Sequence, residues 1–109
     1  QVRDVLHADD LVSLYHSSYA KRNILKGEIF NIGGGHQNSL SLLELIDKLK
    51  KELSLNELKY INIPRRTSDQ DCFIANINKA KNILKWHPKI SHHQGIKKMI
   101  EWTENILNS

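Results

Sequence analysis

Arg3, Asn31 and Arg66 are the residues of this sequence whose chemistry and placement together suggest a ligand. A guanidinium is planar, permanently charged and donates two parallel charge-assisted hydrogen bonds, which suits a phosphate. The Asn31 amide adds a neutral donor without further charge. Each of the three falls at the end of a segment that reads as extended, or where such a segment gives way to a turn. In α/β sheets those ends are where ligand crevices form. From the residues alone a second reading stays open: Arg3 pairs with Asp4 or Asp9 and Arg66 with Asp69, so that the charges only hold turns together.

Other chemistries find less support. Six histidines accompany a single cysteine, but His7 with Asp9 lacks further ligands at a helical spacing. His92 and His93 are adjacent and point to different faces, and His16, His36 and His87 are isolated, so no metal site is expected. Nothing resembles a nucleophile elbow or a Cys/His pair, and no residue is assigned a catalytic role. Gly33-Gly34-Gly35 follow Glu28-Ile29-Phe30-Asn31-Ile32 and precede Ser41-Leu42-Leu43-Glu44, which reads as strand, tight turn and capped helix. Such glycines suit either a phosphate cradle of main-chain N–H groups or a plain turn. Asn38 stands where the third glycine of G-x-G-x-x-G would be, so the dinucleotide fingerprint is incomplete.

The elements that must position these residues follow from the pattern. Val2–Leu6 reads as a short extended entry, and residues 9–21 as a helix with Asp9 and Asp10 in its first turn and Leu11, Leu14, Tyr15, Ser18 and Tyr19 recurring at helical spacing. Residues 28–32 and 57–63 alternate as strands, the second ending at Pro64. A helix from about Ser41 to Leu53 carries the stripe Leu42, Leu45, Ile46, Leu49 and Leu53. Asp71–Ala75 is a short apolar segment, Asn76 caps a short helix with Ile77, Ala80, Ile83 and Leu84, and Ser91 caps a last helix. That helix has Ile96, Met99, Ile100, Thr103, Ile106 and Leu107 as its inner stripe. The sum is a small mixed α/β lobe of about four helices and two to four short strands.

Composition bounds the rest. The 109 residues form one domain or part of one, with 39% hydrophobic and 26% charged residues excluding disordered and membrane classes. No apolar run suffices for a bilayer span, no signal peptide is evident, and the single cysteine suggests a cytoplasmic protein. Cys72, beside Phe73 and Ile74, reads as a small core residue. The net charge of +4 allows an anionic partner. Its lysines are spread over helical faces without aromatic stacking residues, so a basic nucleic-acid-binding module is the weaker alternative. The chain opens on Gln-Val-Arg-Asp, which reads as the interior of a longer protein.

Five motifs in fixed order then carry a resemblance: Arg3-Asp4-Val5-Leu6-His7-Ala8-Asp9-Asp10; Asn31-Ile32-Gly33-Gly34-Gly35 with Ser41-Leu42-Leu43-Glu44-Leu45; Pro64-Arg65-Arg66-Thr67-Ser68-Asp69-Gln70; Ala75-Asn76-Ile77-Asn78-Lys79-Ala80; and Leu84-Lys85-Trp86-His87-Pro88-Lys89. The chain resembles the C-terminal part of the extended short-chain dehydrogenase/reductases, the NAD-dependent nucleotide-sugar epimerases and dehydratases. Its second half is most similar to the branch acting on CDP-sugars. Asn76 and Lys85 depart from the family pattern, which has an acidic residue and a glycine there.

The resemblance implies that residues 1–109 are a nucleotide-sugar-binding lobe completing a Rossmann-fold protein whose N-terminal domain holds NAD and a Tyr-x-x-x-Lys pair. Carried over by motif, Arg3 and Arg66 contact the pyrophosphate, Asp69 the ribose and Asn31 the phosphate end of the ligand. The chain has no Tyr-x-x-x-Lys of its own. By itself it is expected to be inactive, and the whole protein to be a homo-oligomer.

Overall fold

The computed structural model describes all of residues 1–109. In chain order it contains β1 (Val2–Asp4), α1 (Ala8–Ala20), a 3-10 turn (His36–Asn38), β2 (Ser39–Ser41), α2 (Leu42–Glu52), β3 (Cys72–Phe73), a π-helical turn (Ala80–Leu84) and α3 (His92–Leu107). β1 is the middle strand of a three-stranded mixed sheet. It runs antiparallel to β2, with Arg3 opposite Leu40, and parallel to β3, with Arg3 opposite Phe73. The architecture is thus the small mixed α/β unit that the pattern implies.

The helices begin where their side chains dictate. The His7 ring accepts the Asp9 N–H ahead of α1. Ser41 and Glu44 form a reciprocal capping box on α2, as Ser91 and Gln94 do on α3. Leu14 of α1 meets Ala80, Leu84 and Trp86 in the core, with Leu6, Leu11, Leu25, Phe30 and Ile32 packed around them.

Three polar side chains fasten distant parts of the chain to this core. The buried Asp10 carboxylate accepts the N–H groups of Lys89 and Ile90 at 3.0 and 2.9 Å, while its main-chain carbonyl accepts the Trp86 indole N–H at 3.1 Å. Asp4 accepts the N–H of Gly35 and of Ala75 on one oxygen, at 3.0 and 3.1 Å. Buried Asn38 donates to the Gly34 carbonyl and accepts the His92 N–H at the start of α3. Buried acceptors satisfied in this way cost little and specify the pairing of segments.

Several expectations need correction. Residues 28–32 form no strand: no segment of the chain offers them a ladder, and Phe30 and Ile32 instead pack on the core. Lys79 holds the segment from the side, donating to the Ile29 carbonyl at 2.8 Å and pairing with Glu28 at 2.7 Å. Residues 57–63 are likewise without a ladder, and Ile61 is 86% exposed. The strand that does lead into α2 is β2, whose three residues the alternation rule overlooks. Cys72 is exposed, because β3 is an edge of the sheet and leaves it uncovered. The inner stripes are only partly covered: no residue of α2 is buried, and on α3 only Ile96 is. Asn76 accepts the Asn78 N–H two residues on, so it caps a turn whose continuation is π-helical.

Candidate ligand site at the sheet edge

Three of the four expected binding residues come together beside β1 and the loop that leads into β3. The loop turns tightly at residues 66–69, where the Asp69 N–H meets the Arg66 carbonyl at 3.2 Å and Ser68 takes a positive φ of 67°. Its far end is laddered to β1 through the Val2 N–H and the Asp71 carbonyl at 2.8 Å. An Arg65–Asp71 ion pair spans the loop.

Arg3 is held by main-chain oxygens. Its guanidinium donates to the Val2 carbonyl at 2.8 Å and to the Gln70 carbonyl at 2.7 Å, and pairs with neither Asp4 nor Asp9. Its charge is therefore not neutralised by a partner of its own. Arg66 lies with Nε 3.5 Å from Asp69, as the turn-holding reading required, yet its side chain is 83% exposed. An exposed pair of this kind contributes little and is readily exchanged for a stronger anion. Asp69 also accepts the Gln1 side-chain amide at 3.0 Å. That hydrogen bond, followed by the charges of Arg66 and Arg3, holds its carboxyl below the usual carboxylate range.

Asn31 is not drawn into this cluster. It is exposed between Phe30 and Ile32, and its side chain bonds to none of the other three. The adjoining glycines decide between the two readings of the turn. A Cβ on Gly34 would overlap the Val5 carbonyl, and one on Gly33 the Asp4 carboxylate. These glycines serve close packing of the turn on the exit of β1. The Asp4 carboxylate already takes the Gly35 N–H, so that donor is not available to a phosphate.

Two concavities lie elsewhere. A wide groove of about 970 Å³ is lined by Val5, Leu40, Ile96, Met99 and Trp102 among others. A smaller polar one of about 470 Å³ lies beside Gly35, His36, Lys81 and His87. Neither is lined by Arg3, Asn31, Arg66 or Asp69. No group of three His, Cys, Asp or Glu side chains is arranged to hold a metal ion. Sequence reading missed Gln1 and Gln70, because contacts made across 68 and 67 residues leave no local signal.

Comparison with known proteins places the chain in a family. The family model for GDP-mannose 4,6 dehydratase matches residues 1–99. CDP-paratose 2-epimerase of Salmonella typhi is 47% identical over 97% of the chain, and UDP-glucuronate 4-epimerase of Thermodesulfobacterium geofontis is 33% identical over 97%. The chain spans about a third of these relatives, 31% and 32% of their lengths. Among solved structures, the UDP-glucose 4-epimerase of Thermotoga maritima with UDP-glucose superimposes with a TM-score of 0.75 at 30% identity, over 97% of this chain and 32% of that one. A dTDP-glucose 4,6-dehydratase of Bacillus anthracis in complex with NAD gives the same TM-score at 26% identity, over 96% and 32%.

Proposed function

Because the chain belongs to the GDP-mannose 4,6 dehydratase family, we propose that residues 1–109 are the C-terminal nucleotide-sugar-binding domain of an NAD-dependent nucleotide-sugar epimerase acting on a CDP-sugar, converting CDP-paratose to CDP-tyvelose. The observation that carries this reading is the gathering of Arg3, Arg66 and Asp69 at one sheet edge, two cations and one ribose-competent carboxylate. The 47% identity to a CDP-paratose 2-epimerase supports the choice of nucleotide.

In this reading Arg3 is the fixed phosphate donor, pre-aimed by two carbonyls, and exposed Arg66 is the one that swings onto the pyrophosphate. Asp69 accepts from the ribose. Asn31 contributes at the phosphate end only if the ligand reaches past the sheet edge. NAD and the redox step are assigned to the remainder of a cytoplasmic, homo-oligomeric enzyme, since this chain has neither the complete dinucleotide fingerprint nor a Tyr-x-x-x-Lys pair.

Calorimetry with CDP on the complete enzyme tests the proposal. Arg66→Ala is expected to weaken binding by roughly 1.5 to 3 kcal/mol, the loss of a charge-assisted contact. Unchanged affinity refutes the assignment of Arg66. A panel of UDP, dTDP and CDP checks the base, and tighter binding of UDP or dTDP than of CDP would move the assignment to another branch of the family.

A further inference from the structure

We propose that Gln1 is a positioning residue for the ribose end of this site: its amide holds Asp69 by one carboxylate oxygen and leaves the other free for a sugar hydroxyl. The inference rests on the reading that Asp69 takes the ribose of a ribonucleoside diphosphate.

The geometry is asymmetric. Gln1 Nε2 and Arg66 Nε both approach Oδ2 of Asp69, at 3.0 and 3.5 Å, and Oδ1 accepts no hydrogen bond. A carboxylate pinned at one oxygen cannot rotate freely, so the second oxygen keeps a defined direction. The Asp69 side chain is 20% exposed, which leaves it partly open to solvent and so to a ligand.

Gln1 is itself well placed to hold it. The Gln1 carbonyl accepts the Leu42 N–H at 3.1 Å at the start of α2, and the next residue is laddered to Asp71. The residue is thus tied to β2 and α2 on one side and to the loop before β3 on the other.

Gln1 and Arg66 also differ in what happens when a ligand binds. Arg66 is a cation on an exposed side chain, and a pyrophosphate competes for it directly. If Arg66 leaves, Gln1 remains as the donor that keeps Asp69 oriented. A neutral amide can do this without attracting the phosphate or neutralising the carboxylate. The same hydrogen bond is the largest cause of the lowered Asp69 pKa and so favours the ionised, acceptor-only form.

The test is calorimetric titration of the complete enzyme with CDP, 2′-deoxy-CDP and 3′-deoxy-CDP, for wild type, Gln1→Ala, Asp69→Asn and the double variant. Wild type is expected to prefer CDP over at least one deoxy analogue. Gln1→Ala is expected to lose about threefold to tenfold of that preference, the effect of one hydrogen bond, with little change in affinity for the deoxy analogue. In the Asp69→Asn background Gln1→Ala should add nothing. A merely structural role would weaken all three ligands alike and leave the preference intact. If Asp69→Asn removes the preference and Gln1→Ala keeps it, the inference is overturned while the function stands. If neither Arg66→Ala nor Asp69→Asn alters CDP affinity, the functional reading fails and takes this inference with it.

Discussion

At the scale of single residues, the molecule depends on a few polar groups buried where the chain crosses itself. Asp10 is the clearest: its carboxylate is the acceptor for two main-chain N–H groups, and it is 3% exposed. Asp10→Ala leaves both donors unpaired, and we expect a loss of about 3 kcal/mol in chemical denaturation, with Asp10→Asn intermediate. A smaller loss for Ala than for Asn would contradict this account. Gly34→Ala is expected to cost at least about 1–3 kcal/mol by a different route. The added methyl meets the rigid Val5 carbonyl rather than a movable side-chain end. Gly27→Ala lacks any such neighbour, and its cost is confined to the positive φ of 75°. The two variants therefore separate close packing from backbone strain when their midpoints are compared.

At the scale of elements, the contact between α2 and α3 carries a pH dependence. His92 opens α3, its Nδ1 is buried with no hydrogen-bond partner, and burial holds its pKa below the ordinary 6.5, with Lys48 of α2 and neighbouring His93 adding to the shift and Glu44 opposing it. Above pH 6.5 the ring is neutral in folded and unfolded chains alike, and the helix start is fully stable. As pH falls below 6.5 the unfolded chain takes up the proton first, so stability declines until the lower folded value is reached. Denaturation midpoints measured between pH 7.5 and 5 should fall with acidity, and His92→Gln should flatten that slope. The Ser41 cap is tested separately. Ser41→Ala removes the acceptor of the Glu44 N–H and should cost about 1 kcal/mol independently of pH over that range.

At the scale of the whole molecule, the chain covers itself poorly. Its accessible surface is 8527 Å² for 12.6 kDa, against roughly 6200 Å² for a self-contained monomer of that mass. Its radius of gyration is 16.7 Å, where about 13 Å would be ordinary for this length. Large apolar side chains are part of that surface: Ile29, Ile61, Ile63, Trp102 and Leu107 are all mostly exposed. Surface of this kind marks contacts with other protein. Residues 1–109 alone should therefore associate in a concentration-dependent way in sedimentation experiments. A monodisperse monomer at high concentration would show that the exposed face is tolerated by solvent.

The sequence by itself determined what depends on near neighbours. Capping boxes, helix extents and the family motifs are written over spans of three to ten residues, and α1, α2 and α3 lie where those signals put them. Arg3 and Arg66 by their type, and Asp69 by the family motif, could be named as candidates from the sequence; that they lie together at one sheet edge came from the fold. Tertiary structure decided everything that needs a distant partner. Residues 28–32 and 57–63 have strand sequences, but a strand exists only if another segment supplies its hydrogen bonds, and none here does. The glycines at 33 and 34 were ambiguous until Asp4 and Val5 were seen against them, and Asn31 is exposed with no bond to the arginines. Gln1 could be joined to Asp69 only by the parallel pairing of β1 and β3, which brings residues 68 positions apart within hydrogen-bonding reach.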